Sequence, residues 1–106
     1  MIAAHVQVWV ATTPVDMRKS FDALAEVVRA FLGRDPHSGS LFVFRNKSGH
    51  LVKILWWEPT GWTLYYRRLE EGVFHFPNDG TTAVEIPREE LLKLLTGARV
   101  TPLKKV

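Results

Sequence analysis

Apolar and polar side chains alternate over residues 5–11 (HVQVWVA), with Val6, Val8 and Val10 on one side and Gln7 and Trp9 on the other. That two-residue period predicts a half-buried strand at the start of the fold. Helix-start chemistry follows in Thr13-Pro14-Val15-Asp16. Thr13 can cap, Pro14 gives up no hydrogen bond in a first turn, and Asp16 supplies the reciprocal carboxylate of a capping box, Asp16 itself being the alternative cap. Met17, Phe21, Leu24, Val28 and Phe31 or Leu32 then recur at three- and four-residue spacing. They predict one buried helical stripe, with Arg18, Lys19, Asp22, Glu26 and Arg29 facing water and Gly33 closing the helix.

Residues 41–45, 50–57 and 62–69 read as three consecutive strands joined by Asn46-Lys47-Ser48-Gly49 and Glu58-Pro59-Thr60-Gly61, both rich in turn formers. If those turns set the register, Phe42, Phe44, Leu51, Lys53, Leu55, Trp57, Trp62, Leu64, Tyr66 and Arg68 share one face. Its large apolar side chains suit a core beneath the helix. The opposite face would show water Arg45 and Arg67 around Trp56 and Tyr65, unless a one-residue bulge exchanges the two sets. Residues 72–76 and 81–86 read as further short strands about the Pro77-Asn78-Asp79-Gly80 turn, and residues 87–95 as a short helix ended by Gly97. The expected fold is α+β: an antiparallel meander of five to six short strands, one amphipathic helix packed on it and a short C-terminal helix. Residues 1–98 form a single domain on this reading, and residues 99–106 a mobile basic tail.

Composition narrows the chemistry. The chain has 106 residues, 46% of them hydrophobic, which suits one domain with a self-sufficient core. Cysteine is absent, which closes thiol catalysis, Cys-based zinc sites and disulfide frameworks. No signal peptide and no long apolar run is present, so the expected setting is cytoplasmic and free of membrane. The net charge is only +3, but its distribution is uneven. Between residues 35 and 69 lie Arg45, Lys47, Lys53, Arg67 and Arg68 against Asp35 and Glu58, together with Trp56, Trp57 and Trp62. Cations interleaved with aromatic rings on a sheet suit a polyanion with stackable bases, although the same pattern serves a well-filled core. Residues 70–98 reverse the balance, with Glu70, Glu71, Asp79, Glu85, Glu89 and Glu90 against Arg88 and Lys93.

Other candidate sites read as ordinary structure. His5, His37, His50 and His75 have no spacing that places two ligands on one turn, and no cofactor is expected. Asp22 and Glu26 are flanked by Arg18 and Arg29 at ion-pair spacing, as on a solvated helix face. Ser38 and His37 are loop neighbours without an oriented base or oxyanion site. No phosphate-cradling glycine pattern occurs, so the chain is expected not to be an enzyme. Adjacent Arg18 and Lys19 in the predicted first turns of a helix oppose its dipole, which can mark an anion contact.

The segments DMRKSFDAL (16–24), DPHSGSLFVFRNKSGHLVKILWW (35–57), YYRRLEEGVFHFP (65–77) and LLKLLTG (91–97) together resemble the small TnpB accessory proteins of the insertion-sequence sixty-six group of bacterial transposable elements. Ser20 stands where the family pattern typically has Gly, and Phe76 where it commonly has Trp. The resemblance implies a part in transposition beside a separately encoded transposase, with no catalytic residues to carry over. It is distinct from the RNA-guided nuclease of the same name, and 106 residues leave little room for a two-metal strand-transfer centre. The sequence-level expectation is a nonenzymatic accessory protein that contacts DNA through Arg18, Lys19, Arg45, Lys47, Lys53, Arg67 and Arg68, with Trp56 and Tyr65 stacking. A protein adaptor that binds the transposase without touching DNA is the alternative. An exposed edge strand would also offer pairing to a second copy of the chain, a route to a homo-oligomer.

Overall fold

In the computed structural model, which describes residues 5–103, the chain forms one five-stranded sheet with a helical layer on each face. The strands are β1 (Val8–Ala11), β2 (Leu41–Arg45), β3 (Leu51–Glu58), β4 (Gly61–Arg68) and β5 (Ala83–Ile86). They lie in the order β4-β3-β2-β1-β5. The β2-β3-β4 meander is antiparallel as the turns predict, with Phe42 opposite Leu55 and Ile54 opposite Tyr65. Strand β1, however, runs parallel to β2 and antiparallel to β5, so the sheet is mixed and not a pure meander. The reason is the helical connection between β1 and β2, which returns the chain to the end where β1 began; only a crossover of that kind can join parallel neighbours.

Helix α1 (Phe21–Glu26) begins at Ser20, later than the capping signals suggest, because Asp16 is engaged elsewhere and residues 14–19 stay irregular. It continues into a π-helical turn, Val27–Phe31, in which the Leu32 N–H bonds the Val27 carbonyl. The wider turn admits one extra residue. It brings Leu24, Val28 and Leu32 into one line although they are spaced by four, and it turns Phe31 out to solvent. The ambiguity between Phe31 and Leu32 is thereby resolved for Leu32. Beneath α1 lie Trp9, Phe42, Phe44 and Leu55, with Trp62 and Leu64 at the margin, the face expected to be core.

The opposite face, expected to meet water, is a second core. Val8, Val10, Leu41, Val43, Val52, Ile54 and Ile86 lie under α2 (Arg88–Leu95) and the segment carrying Phe74. Residues 72–76 are therefore a covering segment and not a strand: the Phe74 N–H bonds the Gly49 carbonyl at 2.8 Å, and its ring is buried. In α2, Leu91 and Leu94 face the sheet, whereas Leu92 is 73% exposed. Beyond Gly97 the chain stays attached to the domain. Val100 packs against this core, the Thr101 N–H bonds Glu90 Oε1 at 2.8 Å and the Leu103 N–H bonds the Glu85 carbonyl at 2.9 Å. The remainder of the expected tail, Lys104 to Val106, lies outside the described residues.

Two local features hold these layers. Lys53, only 6% exposed, sends its ammonium to the Met17 and Lys19 carbonyls at 2.7 and 2.8 Å, tying the run before α1 to the middle of β3. Replacing it with methionine keeps the stem and strands both acceptors, so Lys53→Met should cost about 2–4 kcal/mol in denaturant unfolding. Gly97 has φ +86°, and a Cβ there would stand 3.0 Å from Leu69 Cδ2 and 3.4 Å from the Val73 carbonyl oxygen. The backbone oxygen cannot rotate away. Gly97→Ala is therefore expected to lose roughly 1–2 kcal/mol by the same measurement.

Candidate functional site

The cations singled out in the sequence divide between the two faces of the sheet and its turns. Lys53 belongs to the α1 face but points inward, held by the two carbonyls and lying 4.8 Å from the centre of the Tyr66 ring. Its charge serves the fold. Arg67, on the α2 side, donates from Nε to the Leu95 carbonyl at 3.0 Å and so caps the C-terminal turn of α2. Arg45 is half-buried, bonds the Asn46 carbonyl at 3.3 Å and lies 5.9 Å from the Phe76 ring centre. Arg68 closes on Glu70 at 2.8 Å, which raises its own pKa and lowers that of Glu70.

Arg18 and Asp16 make a tighter exposed pair. Asp16 accepts the Arg18 backbone N–H at 2.8 Å, Nε at 3.0 and 3.1 Å, and the guanidinium terminus at 2.6 Å. These Arg18 hydrogen bonds pull the Asp16 carboxyl from the ordinary 3.8 to about 2. Lys19 is half-buried, and Lys47 is exposed on the β2–β3 turn without an ion-pair partner among the described residues. The predicted stacking residues share the α2 face but differ in access. Trp56 packs against the second core with its indole N–H enclosed, while Tyr65 is 37% exposed. The single basic, aromatic surface expected on that face thus resolves into internal contacts at Trp56, Arg45 and Arg67.

What the structure assembles instead is an apolar depression around residues 14–17. On one side, Pro14, Val15 and Met17 face Leu51 and the Asn46-Lys47-Ser48 turn across an open groove of about 860 Å³. On the other, Pro14 and Val15 with Ala11, Val27 and Phe31 line a second hollow of about 310 Å³. Asp16 borders both, Lys47 the first and Lys19 the second. The Lys53 tether fixes the ridge between them, because it grips the Met17 and Lys19 carbonyls. The sequence pattern puts Pro14 and Val15 in a helix start and Met17 on its buried stripe. A helix stripe needs either Phe31 or Leu32, and the ring left over, Phe31, lines the second hollow.

Residues 6–105 match the family model described as IS66 Orf2 like protein. The chain belongs to this family. Members of the IS66 Orf2-like family are accessory proteins of insertion sequences, and the match takes in the whole sheet, both helices and the residues that line the grooves. The chain is also similar to two proteins from Sinorhizobium fredii, uncharacterized proteins y4hO and y4jC. The first is 41% identical over 93 residues, covering 88% of this chain and 81% of its own; the second is 34% identical over 100 residues, covering 94% and 86%. No solved structure matches. Among the described residues of this IS66 Orf2-like protein, no helix is long and apolar enough to cross a membrane.

The Asp16–Arg18 pair gives the ridge a pH signature. A carboxyl whose pKa falls on folding adds stability above its unfolded value near 3.8, and that contribution is lost as pH drops through about 2. Asp16→Asn should therefore flatten the acid limb of folding stability between about pH 4 and 2. The difference is small and narrows in high salt, since the pair is exposed. Denaturation midpoints collected across that range check it.

Proposed function

We propose that this protein is a nonenzymatic adaptor in insertion-sequence transposition, and that the groove between residues 14–17 and the β2–β3 turn receives an apolar segment of the transposase encoded by the same element. The observation that carries this reading is the composition of that groove. Pro14, Val15, Met17 and Leu51 make an apolar floor, and Asp16, Asn46, Lys47 and Ser48 make a polar border. Protein recognition sites are commonly built this way, with desolvated apolar anchors at the centre and charged groups at the rim. The cations on which a nucleic-acid surface would rely are largely engaged by carbonyls and carboxylates of this chain.

Direct DNA contact is the second reading, and a specific observation keeps it in play. Lys47 is unpaired among the described residues, and Arg18, 91% exposed, could exchange its carboxylate for a phosphate. Arg68 stands opposite Leu51 in the β3–β4 register, at the same end of the sheet. DNA would then be gripped by this rim rather than by a sheet face, with affinity falling steeply as salt rises.

Copurification of the chain with the transposase, with and without nuclease, separates the two readings. The adaptor reading expects a complex that survives nuclease and that Met17→Glu or Leu51→Glu weakens by about tenfold or more, whereas Lys47→Glu changes it little. A complex that disappears on nuclease treatment, together with a low-salt gel shift lost in Lys47→Glu, would establish the DNA reading instead.

A further inference from the structure

We propose that two copies of this chain pair along β4, antiparallel and centred on Tyr65, to form one continuous sheet. The two edges of the five-stranded sheet are unlike. At β5 the Leu103 N–H already bonds the Glu85 carbonyl, and Thr81 Oγ1 donates to the Ala83 carbonyl at 3.0 Å. At β4, no described residue pairs with the outer side of an eight-residue strand. Tyr65 and Tyr66 are exposed there, Tyr66 by 55%. A long edge with exposed aromatic residues is a template for another strand.

The hydrogen-bond pattern selects the register. In an antiparallel hairpin, alternate residues direct both backbone groups at the partner strand and the others direct them away. Glu58 opposite Gly61 flanks a two-residue turn, and the Leu69 N–H bonds the His50 carbonyl, which places the odd-numbered residues of β4 in the inward set. Trp62, Leu64, Tyr66 and Arg68 therefore present their N–H and C=O groups outward. Antiparallel pairing about a two-fold axis through Tyr65 matches Trp62 with Arg68 of the second copy, Leu64 with Tyr66, Tyr66 with Leu64 and Arg68 with Trp62. Every outward group of both strands then finds a partner. Sliding by one repeat of the pattern, to a centre at Leu64 or Tyr66, leaves one residue at the end of each strand unmatched.

Side chains favour the same arrangement. An axis perpendicular to the sheet keeps each face continuous, so Arg68 meets the Trp62 ring and Tyr66 meets Leu64 on the α1 side. On the α2 side Tyr65 meets its own copy and Arg67 meets Thr63. Cross-strand aromatic and cation–aromatic pairs of this kind are favourable, and no like charges stand opposite each other. Parallel pairing would instead bring both Arg67–Arg68 ends together. The proposal does not depend on the groove or its occupant.

The absence of native cysteine makes the register directly testable. At the axis the two Tyr65 positions form a non-hydrogen-bonded pair with Cα atoms about 4.5 Å apart, inside the range a disulfide spans. Oxidised Tyr65→Cys should run as a covalent dimer on a nonreducing gel, while Thr63→Cys and Leu64→Cys, each facing a different residue of the second copy, should not. Tyr65→Lys and Tyr65→Glu should each sediment as monomers and form a one-to-one heterodimer when mixed. Sedimentation of the unmodified chain should show a concentration-dependent dimer. An unmodified chain that stays monomeric throughout the micromolar range would overturn the pairing, as would a dimer untouched by Tyr65→Lys or one that crosslinks through Thr63→Cys or Leu64→Cys in preference to Tyr65→Cys.

Discussion

From the middle of β3 the Lys53 side chain rises toward α1 and ends on the carbonyls of Met17 and Lys19. No carboxylate pairs with it among the described residues; carbonyl dipoles and the nearby Tyr66 ring stand in for water. Burying a cation this way is costly unless it is well hydrogen-bonded, and the two short contacts supply that compensation. The consequence is positional. Residues 14–19 contain no regular hydrogen-bond ladder of their own, yet they form the ridge between two grooves and set where α1 begins. The ridge is thus held by these polar contacts together with the Val15 N–H bond to the Arg45 carbonyl at 2.9 Å, while the helix behind it is held by apolar packing of Leu24, Val28 and Leu32.

Much of the architecture can be read from periodicity because strand alternation leaves little freedom once turns are placed. The face holding Phe42, Phe44, Leu55, Trp62 and Leu64 lies under α1 as the register implies, and both turns of the meander fall at their glycine- and proline-bearing segments. What periodicity could not convey is that the other face has a cover as well. Val43, Val52 and Ile54 are apolar enough to signal burial on both sides, but the cover comes from α2 and from Phe74, a residue whose local sequence reads as strand. Nor does local sequence reveal that β1 sits between β2 and β5, since pairing between distant segments leaves no mark on the pattern of either.

The candidate site was less legible for the same reason. Lys53 and Arg67 look like surface cations when counted, and only tertiary contacts show one gripping a loop and the other closing a helix end. Arg68 is counted as free charge in a sequence tally but lies beside Glu70, its near neighbour along the chain. The grooves, in contrast, are made of Pro14, Val15, Met17 and Leu51, residues whose apolar character fits a core equally well. Membership of the IS66 Orf2-like family supplies the biological setting that neither charge nor packing provides.

The strap formed by residues beyond Gly97 bears on how far assembly can go. With the Leu103 N–H laid against Glu85 and Val100 anchored below, part of the β5 border is already occupied, so the proposed pairing extends the sheet from its β4 border. A molecule with one sticky margin stops at a pair, whereas two such margins would let copies add without limit into a fibre. On the proposed pairing, the short run after the last helix would act as a terminator of polymerisation.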